Sequence, residues 1–301
     1  MKKVQTIRFT VSVPCRIPFS DEVKNYEDHG FIILPESYCE SGSPTRLVIS
    51  CHGAGGSVTT DDAQCEHQLI TQYLVANGYA VMGVNGLPEE FADEYGISIY
   101  NNIGSPIAVE SNVNAYHYCQ KMFNLHKEVI VWGASMGGIS STNLVLSEQI
   151  SVLAQGCFCP VLDTYNEIFL HPWSNGLPKT ALGILYSLSR DSTGDWIYEE
   201  EKVCGYNPAQ NPKRKHYPCP LFFCHCVNDD IVSPDVTVSF IEDVKQSGKD
   251  VQLLLLPDGY HEPQAYGNPV ANPSGNIMWE GNPLSILPAV EAAFQWIRKW
   301  G

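Results

Sequence analysis

Apolar positions along the chain fall into short continuous runs, and the segments between those runs carry helical spacing. Arg46–Cys51, Tyr79–Val84, Val129–Trp132, Val152–Leu162, Leu221–Val227 and Val251–Leu256 are such runs. Runs of that kind read as strands buried on both faces. Asp61–Asn77 places Leu69, Ile70, Tyr73 and Leu74 on one side and meets Gly78, a helix stop. Ser105 and Pro106 open a second helix through Met122, and Ile139–Gln149, Val236–Gln246 and Leu287–Trp300 continue the series. Ahead of this alternation, Val4–Pro18 reads as an edge strand and Gly30–Pro35 as a strand ended by its proline. Asn85–Gly104 reads as an irregular surface loop. Strands alternating with helices predict an α/β architecture, a mostly parallel sheet covered by helices on both faces. Thr164–Pro218 fits the alternation least, with a helical run at Ala181–Leu188. It is expected to be an insertion forming a lid or pocket wall, with residues 1–301 as a single domain.

In parallel sheets, functional groups collect past the carboxyl ends of the strands. Val129–Trp132 runs into Gly133-Ala134-Ser135-Met136-Gly137-Gly138, a Gly-x-Ser-x-Gly turn between strand and helix. Glycines there let strand and helix approach closely and lift the serine onto a strained tip. Ser135 is the candidate nucleophile. A serine hydroxyl needs a base to take its proton, and that base needs a carboxylate to fix its tautomer. His261 follows the last strand and is the candidate base. Asp229 follows Leu221–Val227 and is the favoured acid, with Asp230 and Asp163 as alternatives, and the unused member of the 229–230 pair is expected to cap the local turn. An oxyanion formed at the attacked carbonyl needs donors. The Met136 N–H is one, and Ala54 or Gly53 of the loop His52-Gly53-Ala54-Gly55-Gly56 supplies the other. That loop lacks the Lys-Ser/Thr ending of a phosphate-binding loop. His52 is expected to brace the loop, and His225 to be a satisfied core residue. Trp173 and Tyr260 are candidate pocket residues, whereas Trp132 belongs to the core.

Net charge is −15. With no basic face, nucleic acid is disfavoured as a partner, and long-range steering of polyanions is weak. Gln5, Thr6 and Arg8 interrupt any apolar leader, and no run reaches membrane-spanning length. The cysteine count is odd, at eleven, and several sit inside strand-like runs, which favours buried free thiols and a cytoplasmic location. Cys157-Phe158-Cys159 and Cys224-His225-Cys226 lack zinc-type spacing, so no metal is assigned.

Together, the His52–Gly56 loop, the Gly133–Gly138 turn, Asn228-Asp229-Asp230-Ile231-Val232 and Gly259-Tyr260-His261 resemble the α/β-hydrolase superfamily, in its prolyl-oligopeptidase-like and esterase branches. The resemblance implies the α/β-hydrolase fold and a Ser-His-Asp triad with no cofactor. An Asp-x-x-Val segment carries the acid in those branches, which favours Asp229 with Val232. The residues before Arg46 leave no room for the β-propeller of prolyl oligopeptidases. The expectation is therefore a serine esterase removing acetyl, feruloyl or similar acyl groups from a small-molecule or oligosaccharide ester. A serine peptidase acting on short peptides and a non-catalytic binding protein of the same fold are the alternatives.

Overall fold

The computed structural model describes residues 4–58, 68–270, 278–279 and 282–300. An eight-stranded sheet organises them. Its strands are β1 (Gln5–Arg16), β2 (Val23–Leu34), β3 (Leu47–Cys51), β4 (Ala80–Val84), β5 (Val129–Ala134), β6 (Val152–Phe158), β7 (Leu221–Cys226) and β8 (Val251–Leu256). Their order across the sheet is β1-β2-β4-β3-β5-β6-β7-β8. β1 and β2 form an antiparallel hairpin, β2 pairs antiparallel with β4, and every pairing from β4 to β8 is parallel. This is the sheet of the α/β-hydrolase fold, and its strand order reverses between β3 and β5, which lie side by side at the switch point.

The helices are α1 (Leu69–Ala76), α2 (Glu89–Tyr95), α3 (Pro106–Met122), α4 (Gly137–Ser147), α5 (Leu177–Leu185), α6 (Glu200–Val203), α7 (Pro234–Lys245) and α8 (Pro288–Ile297). Two apolar clusters follow from the pleat of β5. Val129 and Val131 face the cluster that includes residues of α3, α4 and α7, and Ile130 and Trp132 face the one formed with α1 and α8. Trp132 is a core residue, packed edge-on to Phe158 and stacked near Phe222.

Several boundaries differ from the sequence reading for identifiable reasons. β2 starts at Val23 because the whole strand pairs with β1, and its outer half alternates exposed positions with the buried Tyr26 and Asp28, so its pattern there is not continuously apolar. Asn85–Gly104 is not all loop. It holds α2, whose Phe91 and Ala92 are buried and whose end is capped by Gly96 in the left-handed conformation. β6 ends at Phe158, since Cys159 has φ +44° and Pro160 follows. The helix inside the insertion begins at Leu177, with Pro178 in its first turn, and stops at Leu185. The first part of the helix expected over 61–77 lies outside the described residues, and its remainder is α1, followed by Gly78 at φ +91°.

Residues 164–218 pack against the rim of the sheet rather than standing apart from it. Ala209 N–H donates to Leu162 O at 3.0 Å, and Asn143 Nδ2 on α4 donates to Tyr206 O at 2.8 Å. No disulfide joins the described cysteines; Cys51, Cys157, Cys159, Cys224 and Cys226 are all buried free thiols. Among the described residues no helix is long and apolar enough to cross a membrane.

Candidate active site

The nucleophile turn is shaped by what its glycines leave room for. A Cβ on Gly133 would run into the carbonyl of Gly137, and one on Gly137 into the carbonyl of Cys51. Strand β5, helix α4 and the end of β3 thus meet at backbone contact, which only glycine permits. Ser135 itself sits at φ +52°, a conformation that costs a serine free energy. Neighbouring strands hold it there. Its N–H donates to Phe158 O at 2.9 Å, and its carbonyl accepts from Gly138 N at 2.7 Å and Val161 N at 3.0 Å.

The structure brings the three residues singled out by sequence into one relay. Ser135 Oγ is 2.8 Å from His261 Nε2, and His261 Nδ1 is 2.8 Å from Asp229 Oδ2. Asp229 settles the choice of neighbouring acid. Its side chain is fully buried, whereas Asp230 is exposed and Asp163 accepts from Tyr165 N, Asn166 N and Asn207 Nδ2. The turn-capping task expected of the unused aspartate is performed by Asp229 as well. Its Oδ1 accepts from Ile231 N and Val232 N, each at 2.9 Å. Burial pushes the Asp229 carboxyl up. Hydrogen bonds from His225, His261 and the Val232 N–H, together with the His261 charge, more than offset this and hold it below the usual carboxylate range.

The sequence reading gave His225, Asn228 and Asp258 no part in this relay. His225 is fully buried, as expected of a core residue, but its Nε2 lies 3.0 Å from Asp229 Oδ2 and its Nδ1 lies 2.8 Å from Thr237 Oγ1. Asn228 Nδ2 donates to Asp258 Oδ1 at 2.6 Å, and Asn228 Oδ1 accepts from Tyr260 N at 3.1 Å. These bonds tie the acid loop to the base loop. The spacing of His225 four residues before Asp229 was the available signal for the first. The Asn228–Asp258 tie is long-range and left no local pattern. Gly259, at φ +120°, is required because a Cβ would press on Cys226 Sγ.

The glycine loop lies against Ser135. A Cβ on Gly53 would stand 3.2 Å from Ala134 O and 3.4 Å from Ser135 Cβ. Gly56 N–H closes a turn onto Gly53 O at 3.1 Å. Met136, directly after Ser135, is the N-cap of helix α4. His52 braces the loop, with Nδ1 2.8 Å from Gly53 O and Nε2 2.7 Å from Asn85 O.

Cys159, His225 and Asp229 place donor atoms within 4.8 Å of one another. Burial, and then the neighbouring Asp229 carboxylate, push the Cys159 thiol far above the ordinary thiol range. These groups build the acid's surroundings. Of the pocket candidates, Tyr260 is 62 % exposed beside His261, and Trp173 is partly buried against the apolar core. A separate cavity of about 1360 Å³ is lined by Phe19, Arg16, Pro106, Tyr186 and Trp196, and none of the three relay residues borders it.

Searches against protein-family models and curated proteins found no match. Solved structures do match in fold. An acylaminoacyl peptidase bound to Z-Gly-Gly-Phe-chloromethyl ketone is 17% identical, with TM-score 0.63 over 88% of this chain and 39% of its own. A puromycin-hydrolyzing peptidase of Mycobacterium tuberculosis is 17% identical, with TM-score 0.58 over 82% and 35%. Oligopeptidase B from Leishmania major is 12% identical, with TM-score 0.62 over 86% and 33%. The chain therefore has the α/β-hydrolase fold of prolyl-oligopeptidase-like enzymes, and it spans little more than a third of the length of these structures.

Proposed function

We propose that this protein is a serine hydrolase that cleaves acyl bonds of short peptide-like substrates through an acyl-enzyme. The observation that carries the reading is the unbroken relay from Ser135 Oγ through His261 to the buried Asp229. Ser135 Oγ attacks the substrate carbonyl carbon while His261 Nε2 takes the hydroxyl proton. Asp229, kept ionised, stabilises the resulting imidazolium. The oxyanion is received by the Met136 N–H and by an N–H of Gly53 or Ala54, and loss of one such donor costs about 3 kcal/mol of transition-state stabilisation. His261 then returns its proton to the leaving nitrogen as the tetrahedral carbon expels it. Water repeats the cycle on the acyl-enzyme. The peptidase names of the structural neighbours support amide substrates over the esters expected from sequence. Insertion 164–218 is assigned as the pocket wall, with Trp173 and Tyr260 facing the acyl group.

The test is hydrolysis of acyl-dipeptide p-nitroanilides and of p-nitrophenyl acetate and butyrate by the purified chain, beside Ser135→Ala. Anilide turnover that vanishes in the variant supports the peptidase reading. Turnover of esters alone returns the assignment to a carboxylic-ester hydrolase acting on a small-molecule or oligosaccharide ester. No turnover of either, with labelling of Ser135 by a fluorophosphonate also absent, leaves the non-catalytic binding protein.

A further inference from the structure

The donors assigned to the oxyanion come from two stretches far apart in the chain, Met136 at the head of α4 and Gly53 or Ala54 in the glycine loop. Both must stand within about 3 Å of the same oxygen for the stabilisation to be realised. Asn102, a buried residue ahead of α3, is hydrogen-bonded towards both stretches. Its Oδ1 accepts from Ser140 Oγ on α4 at 2.8 Å and from Gly104 N at 3.2 Å. A backbone N–H only donates, so Oδ1 belongs at this end of the amide and Nδ2 at the other. Nδ2 donates to Asn85 O at 2.9 Å and lies 3.2 Å from His52 Nε2. One amide thus joins helix α4 to the root of the glycine loop.

Each end of this tie is itself held. On the helix side, Asn143 Nδ2 donates to Gly104 O at 2.8 Å, and a Cβ on Gly104, at φ +61°, would fall 2.8 Å from the Ile139 carbonyl carbon. Segment 102–104 is therefore seated on the backbone of α4. On the loop side, Asn85 Oδ1 accepts from Val58 N at 2.8 Å and from Ser57 Oγ at 3.2 Å, beyond the glycines. Gly86 N donates to the buried Asp28 Oδ2 at 2.9 Å, which anchors the Asn85–Gly86 peptide to β2. Between these fixed ends the loop has glycine at 53, 55 and 56, and Gly55 is exposed at φ +82°. A donor on so permissive a backbone stays aimed only while the ends of the loop are fixed.

We propose that Asn102 is a positioning residue of the oxyanion site, setting the separation between the Met136 N–H and the loop donor by bonding Ser140 on α4 and the His52–Asn85 junction at once. The inference rests on the serine-hydrolase reading. Asn102 touches no reacting atom; it preorganises two groups that do.

The experiment compares wild type, Asn102→Ala, Ser140→Ala and the double variant on the better substrate among an acyl-dipeptide p-nitroanilide and p-nitrophenyl acetate. Inhibition by an acyl-dipeptide aldehyde, whose adduct with Ser135 carries an oxyanion, is measured beside the corresponding alcohol, whose complex carries none. Loosened donors weaken interactions made only in the transition state, so kcat should fall about tenfold in each single variant with KM within about twofold of wild type. The double variant should fall no further than Asn102→Ala, because both substitutions cut the same tie. The Ki of the aldehyde should rise in step with the loss of kcat, and that of the alcohol should stay constant. Lowered stability with kcat and the aldehyde Ki unchanged, or losses that multiply in the double variant, overturns the proposal. Ser140→Ala removes only a hydroxyl from a helix and decides the matter if Asn102→Ala does not fold. A wild type that is inactive and unlabelled by a fluorophosphonate sinks the serine-hydrolase reading together with the inference, whereas an active wild type with equally active variants sinks the inference alone.

Discussion

His225 Nε2 lies 3.0 Å from Asp229 Oδ2, the same oxygen that His261 Nδ1 meets at 2.8 Å. One carboxylate oxygen thus serves two imidazoles, one half-buried at the substrate side and one sealed in the core. The sealed imidazole cannot take part in proton transfer, because its other nitrogen is engaged by Thr237 Oγ1. Its contribution is to orient the carboxylate and to oppose its protonation.

Replacing His225 with Phe removes a charge-assisted hydrogen bond and leaves Thr237 Oγ1 without its partner. The expected cost is about 2 kcal/mol of stability, read as a shift in the urea midpoint. Turnover should fall about tenfold, and the acid loss of stability carried by Asp229 should set in at higher pH as the carboxyl becomes easier to protonate. Unchanged turnover with lowered stability would confine His225 to a structural role.

Asp229 also sets a sign for the pH dependence of stability. Its carboxyl in the folded chain lies below the free value of 3.8. The stabilisation is therefore complete above the unfolded value and is lost as pH falls through the lowered folded one. The stability advantage of wild type over Asp229→Asn should be constant from pH 8 to about pH 5, and should shrink below about pH 4. Denaturation curves at several pH values measure this, and an advantage that grows in acid would reverse the assigned shift.

Much of this site was legible because the chemistry sits at strand ends. Ser135, Asp229 and His261 each follow a buried apolar run, and the strained turn at Ser135 needs glycines that the sequence displays at 133 and 137. What was not legible depends on contacts across the sheet. The tie between Asn228 and Asp258 spans 30 positions, and the Asp28–Gly86 bond spans 58. A buried polar residue with a distant partner looks, in one dimension, like any loop or strand residue. Helix α2 was missed because only Phe91 and Ala92 face inward, too few to show a helical period. The substrate preference is equally a property of surfaces, and the peptide and ester readings share every motif.

Gly137 tests how much the fold depends on the close approach at the nucleophile turn. A Cβ there would overlap the carbonyl of Cys51, which belongs to β3 and cannot move without disturbing the parallel pairing with β5. Gly137→Ala should lose about 3 kcal/mol of stability and nearly all activity. Gly205, where a Cβ meets nothing within 4 Å, is the control, and Gly205→Ala should match wild type in both. An active, stable Gly137→Ala would mean that the turn is looser than its backbone contacts indicate.

Tyr260 and Trp173 separate substrate contact from packing. Tyr260 is 62 % exposed, and its backbone, not its ring, is held by Asn228 Oδ1. Its φ of +51° is shared by any replacement with a side chain, so Tyr260→Ala changes the ring and leaves the backbone strain as it was. Thermal stability should stay within about 0.5 kcal/mol of wild type while KM for the acyl substrate rises several-fold. Trp173 packs against the apolar core, and its indole N–H is buried. Trp173→Ala should therefore raise KM and also lower stability, by about 2–3 kcal/mol, in place of leaving folding intact. Calorimetry and initial rates on the two variants decide the matter. If Trp173→Ala alters KM without touching stability, the indole is a free pocket wall, and segment 164–218 reaches the substrate more directly than its packing suggests.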